Sequence, residues 1–69
     1  MQPNKSMLTP ANARAARASA KDDIEWWSAF FRWANTAQDK GTMSEAQYYA
    51  NLQIMEKVYE ESISRRRAA

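Results

Sequence analysis

The sequence contains no cysteine and no histidine. The first absence excludes disulfides and thiolate zinc sites, and the second excludes imidazole ligands to a metal. Together they remove the commonest nucleophiles and general bases. There is one glycine, Gly41, and two prolines, Pro3 and Pro10. So few turn-formers leave no room for a succession of hairpins or βαβ units. No segment approaches the roughly 18 consecutive apolar residues of a membrane helix. Met1–Pro10 has no apolar run of the kind a signal peptide needs. These absences point to an all-α chain, and the lack of cysteine fits a cytoplasmic setting.

What is present is a small amount of core material. The chain has 69 residues and is 45% hydrophobic, but 13 of those residues are alanine. Eighteen large apolar side chains remain, 15 of them between Ile24 and Ile63. That is near the lower limit at which one chain stabilises itself. With disulfides and metal sites excluded, oligomerisation or docking on a partner is the remaining remedy.

The net charge of +2 hides a pattern. Residues 1–21 carry Lys5, Arg14, Arg17 and Lys21 and no acid. Residues 22–61 hold all eight acids against Arg32, Lys40 and Lys57, and the end carries Arg65, Arg66 and Arg67. The chain is basic, then acidic, then basic.

Two helix starts are legible around the single glycine. Asp22 and Glu25 have the spacing of a capping box, and Gly41 stands where a left-handed C-cap belongs. This predicts a helix over about residues 20–40. Ser44 and Gln47 form a second box, with Met43 and Tyr48 placed as a hydrophobic staple, and predict a helix over about 45–66. The turn at 41–44 is short enough to fold the two back as an antiparallel hairpin. Upstream, Thr9-Pro10 is a further start signal. The alanine-rich stretch after it has high helix propensity but almost no large apolar anchor. Residues 1–19 therefore read as a basic arm or weak helical extension.

On the helix over 45–66, Tyr48, Leu52, Met55, Tyr59 and Ile63 form one stripe, flanked by Ile54 and Val58, with Asn51 between. The helix over 20–40 carries two stripes about 100° apart. One is Ile24, Trp27, Phe31 and Ala34; the other is Trp26, Phe30, Trp33 and Ala37. A single partner helix covers less than that. The expected resolution is a homodimeric four-helix bundle. Its core and dimer surface would use Ile24, Trp27, Phe31, Tyr48, Leu52, Met55, Val58, Tyr59 and Ile63. Trp26, Phe30, Trp33 and Tyr49 are then the candidates for contact with a partner protein, because aromatic side chains are the usual interface anchors. Trp26 and Trp33 are expected to be the exposed pair. Asn51 is either a buried polar residue that fixes dimer register or a residue of the rim.

No catalytic constellation, cofactor motif or metal-ligand set is visible. Asp22/Asp23 and Glu60/Glu61 are neighbours in sequence and point apart on a helix. The expectation is therefore a non-enzymatic interaction module, with no small-molecule substrate, no cofactor and no membrane role. In its general profile the chain is similar to small phage- or plasmid-encoded accessory proteins that bind and inhibit host factors; the likeness is one of class and rests on no motif. The alternative is nucleic-acid binding. A hairpin would gather Arg14, Arg17, Lys21, Arg65, Arg66 and Arg67 at one basic pole able to hold phosphates. The competing reading is that Arg65, Arg66 and Arg67 cap the helix dipole and pair with Asp22, Asp23 or Glu25.

Overall fold

The computed structural model describes residues 7–68, with side chains to Arg65. It holds three helices: α1 (Pro10–Ser19), α2 (Asp23–Asp39) and α3 (Glu45–Ala68). There is no strand among the described residues. The all-α expectation is met. In place of a hairpin preceded by an arm, residues 10–19 form a helix of their own that packs on the other two.

Each boundary has a local cause. Thr9 accepts a hydrogen bond from the Asn12 N–H on its hydroxyl (3.1 Å), and Pro10 follows at the position where a missing N–H costs nothing. The chain leaves helical geometry at Ala20 (ψ 148°) and at Asp22 (φ −156°, ψ 179°). The Asp22 carboxylate accepts from the Glu25 N–H at 2.8 Å and restarts the helix. The Thr9-Pro10 and Asp22 starts read in the sequence are thus both used, with a break between them.

The far end of α2 closes as a Schellman motif. Gly41 sits at φ 75°, its N–H donates to the Gln38 carbonyl (3.0 Å), and the Thr42 N–H donates to the Ala37 carbonyl (2.9 Å). Ser44 then opens α3 with both halves of its box made. Its N–H donates to Gln47 Oε1 (2.8 Å), and its Oγ accepts from the Gln47 N–H (3.1 Å). Met43, just before it, is buried.

The core consists of Ala13, Trp26, Phe30, Ala34, Ala37, Met43, Met55 and Val58. Helix α1 contributes only Ala13 to it, and that residue is fully buried. Small side chains are what allow α1 to lie close: its backbone approaches those of both α3 and α2. The contacts Leu8–Asn51 and Arg14–Glu61 show that α1 runs alongside α3 in the same direction.

This third helix turns the expected core around. On α2 the buried line is Trp26, Phe30, Ala34 and Ala37, whereas Ile24 is 78% exposed and Phe31 39% exposed. The expectation that Trp26 is exposed is therefore overturned, while Ile24 and Phe31, expected in the core and dimer surface, lie outside the core of the single chain. The cause is the cover: α1 lies over the second stripe, and the indole N–H of Trp26 donates to the Ala13 carbonyl at 3.1 Å in a buried setting. A buried tryptophan needs such an acceptor, and a carbonyl on α1 supplies it.

The buried line of α3 is likewise rotated, by about 70° from the expected seam towards α1. Asn51, Met55 and Val58 are buried, and Tyr48, Leu52, Tyr59 and Ile63 are half-buried. Asn51 has no exposed surface. Its Oδ1 accepts from the Leu8 N–H at 2.9 Å, and its amide group contacts Met43 Sδ at 3.7 Å. It is thus a buried polar residue that ties down the entry to α1, not a residue of the rim.

Candidate functional site

Three surfaces gather the residues singled out above. The first is a groove between α1 and α2. It is lined by Leu8, Ala13, Ala16, Trp26, Ala29, Phe30, Trp33 and Met55 and holds about 170 Å³. Alanines of both helices form its walls, and Trp26, Phe30 and Met55 are buried beneath it. Trp33 is half-buried on its edge, while Ala16 and Ala29 are exposed. A slot with alanine walls and an aromatic floor offers dispersion contact and almost nothing that hydrogen-bonds. Three of the four residues proposed from sequence for partner contact therefore come together here, although Trp26 and Phe30 act as floor and not as exposed anchors. Tyr49 does not line this groove.

The second surface lies on the opposite side of α2, where it meets α3. Trp27 stacks with Phe31 (centroids 5.9 Å) and meets Tyr59 edge-on (6.1 Å). Phe30 meets Tyr48 at 6.2 Å, and Tyr48 meets Tyr49 at 5.5 Å. These contacts join Trp27, Phe30 and Phe31 of α2 to Tyr48, Tyr49 and Tyr59 of α3, and Ile24 and Leu52, one helical turn from Trp27 and Tyr48, extend the apolar face. Ile24, Phe31 and Tyr49 are its exposed members. No other described residue covers these three.

The third surface is a cleft of about 260 Å³ between α1 and α3, lined by Arg14, Arg17, Ala18, Val58, Glu61, Ser62 and Arg65. Two of its arginines are committed. Arg14 grips both carboxylate oxygens of Glu61 at 3.1–3.2 Å. Arg17 lies between two rings, 5.0 Å from the centroid of Trp26 and 5.5 Å from that of Tyr59, and its Nη2 stands 2.7 Å from Asp23 Oδ1. That contact is an ion pair out of line for a hydrogen bond, since neither terminal nitrogen of Arg17 makes one. Held over two faces, the guanidinium fastens α1 to both other helices. Arg65 is exposed and makes no ion pair among the described residues. The side chains of Arg66 and Arg67 lie outside the described residues, and Lys21 is exposed. The structure thus brings Arg14, Arg17 and Arg65 to one cleft, as the sequence suggests, and places Glu61 among them.

Sequence reasoning missed Leu8, Ala16 and Ala29 as lining residues. The signal was available in the spacing of Ala13 and Ala16, which puts small side chains on one face of α1. Among the described residues no group of three or more acids could hold a metal ion, and no helix is long and apolar enough to cross a membrane. No protein-family model matches the sequence, and neither a curated protein nor a solved structure shows significant similarity to it.

Proposed function

We propose that this chain is a small, non-enzymatic protein-interaction module that binds and modulates a partner protein. The observation that carries the reading is the open α1–α2 groove, lined by Ala16, Ala29, Trp33 and Leu8 over a closed aromatic floor. Its lining is fixed by the fold: Trp26 is held by Ala13, and Phe30 by the rings around it. A preformed apolar slot binds without the ordering that a flexible loop requires. Trp33, half-exposed on its edge, is placed as the aromatic anchor. Inhibition of the partner, in the manner of small accessory proteins, is the mode the class likeness suggests.

Nucleic-acid binding at the basic pole has less support, because Arg14 and Arg17 already neutralise Glu61 and Asp23. A phosphate backbone would have to compete with those carboxylates.

The test compares cross-linked capture by the native chain, Ala29→Glu and Trp33→Ala. Ala29 is exposed, so a glutamate there blocks the groove without entering the core. Loss of one protein partner with both variants, at unchanged helical circular dichroism, is the expected result. Undiminished capture by Ala29→Glu sinks the groove as the binding site. Salt-sensitive retardation of random duplex DNA, abolished by Arg65→Ala, would replace this reading with the nucleic-acid one.

A further inference from the structure

The groove leaves the second apolar face unexplained. We infer that a second copy of this chain occupies the α2–α3 face built on Ile24, Trp27, Phe31, Leu52 and Tyr59. The inference extends the interaction reading by naming what covers one of its two apolar surfaces.

The area fits a dimer. A fully exposed aromatic side chain offers about 150–250 Å², so the 39% exposure of Phe31 and the 54% of Tyr49 together leave roughly 190 Å². Ile24, 78% exposed, adds roughly 70 Å² at about 25 cal/mol per Å² and the usual value of a buried aliphatic. The half-buried Trp27, Tyr48, Leu52, Tyr59 and Ile63 bring the apolar area of the face to roughly 450 Å². A standard interface buries about 800 Å² per partner, some 57–65% of it apolar, which is about 490 Å². The face supplies nearly that amount, and the exposed Ser28 and Asn35 on α2 and Glu60 on α3 lie beside it.

The occupant is a copy and not a foreign target because of what the fold lacks. Of the eight residues in the core, three are alanine. A chain with so small a core and no cross-link needs extra burial whenever it is folded, and only its own copies are always at hand. A two-fold interface also uses one patch on both partners, so a single self-complementary face suffices. The α1–α2 groove faces elsewhere and stays free for another protein.

The experiment is sedimentation equilibrium of the full chain from low to high micromolar concentration. The native chain should give twice its 8.0 kDa mass. Ile24→Glu should weaken association by roughly 30-fold per site, an interface hot spot, and the loss counts twice across a two-fold axis, giving about 1,000-fold. Ala29→Glu, in the groove, should leave the dimer unchanged. Because Ile24 is already exposed, its replacement leaves the protomer folded, which circular dichroism checks. A native chain that stays at monomer mass overturns the inference. So does a dimer that survives Ile24→Glu, or one that Ala29→Glu dissociates. Loss of partner capture bears on the groove alone, so the two readings fail separately.

Discussion

The two sides of α2 carry the same kind of side chain and meet opposite fates. On one, Trp26 is 2% exposed and Phe30 5% exposed. On the other, Ile24 and Phe31 remain open to solvent. Hydrophobicity does not separate them, since each side has one tryptophan and one phenylalanine within the first three turns of the helix. What separates them is a short helix of mostly small residues. Helix α1 brings a carbonyl to the Trp26 indole, a guanidinium over its ring and an alanine that fills no space another group needs. A helix with little apolar surface of its own can therefore decide which face of its neighbour becomes core. It does so by closeness and polar fastening more than by burying area.

Substitutions can break this contrast in a graded way. Trp26→Ala should be the most damaging, removing about 3–5 kcal/mol and the side-chain donor to the Ala13 carbonyl; thermal unfolding at fixed protein concentration measures it. Asn51→Ala strands the Leu8 N–H on the closed side and should cost about 1–3 kcal/mol, with faster amide exchange at Leu8 as the local sign. Gly41→Ala favours neither face, because nothing lies near the added Cβ. Its cost should be the backbone term alone, about 1–2 kcal/mol at φ 75°. Glu61→Gln loosens only the outer edge of α1. The pair it breaks is 50% and 35% exposed, so about 0.2–1 kcal/mol is expected, and the difference from the native chain should shrink in high salt. A larger effect from Glu61→Gln than from Asn51→Ala would mean that α1 is held by its rim and not by its buried contacts.

Much of this architecture was legible in the residues. Thr9-Pro10, Asp22, Gly41 and Ser44 each start or stop a helix where their chemistry indicates, because caps are local. The choice between the stripes was not legible in the same way. Periodicity places Ile24 and Trp26 on different faces but cannot say which face meets a neighbour, and counting two helices in place of three assigns them in reverse. Alanine is the reason: Ala13, Ala16 and Ala20 give no apolar signal, yet their small size is what lets α1 dock. Asn51 shows the same limit. Its place between two apolar stripes marked it as unusual, but its partner is a backbone N–H 43 residues away, which no local pattern reveals. For the groove, the sequence supplied Trp33 and the floor, while the α1 wall came only with the fold.

The account rests on α1 being docked over Trp26. Hydrogen exchange of the tryptophan indole N–H groups, read in a nitrogen-correlated NMR spectrum of the native chain, tests this directly. The Trp26 signal, hydrogen-bonded to Ala13 and 2% exposed, should exchange far more slowly than that of Trp33 on the open groove. Equal and rapid exchange of the two would mean that α1 leaves the second stripe uncovered, and would contradict the fold on which both proposed surfaces depend.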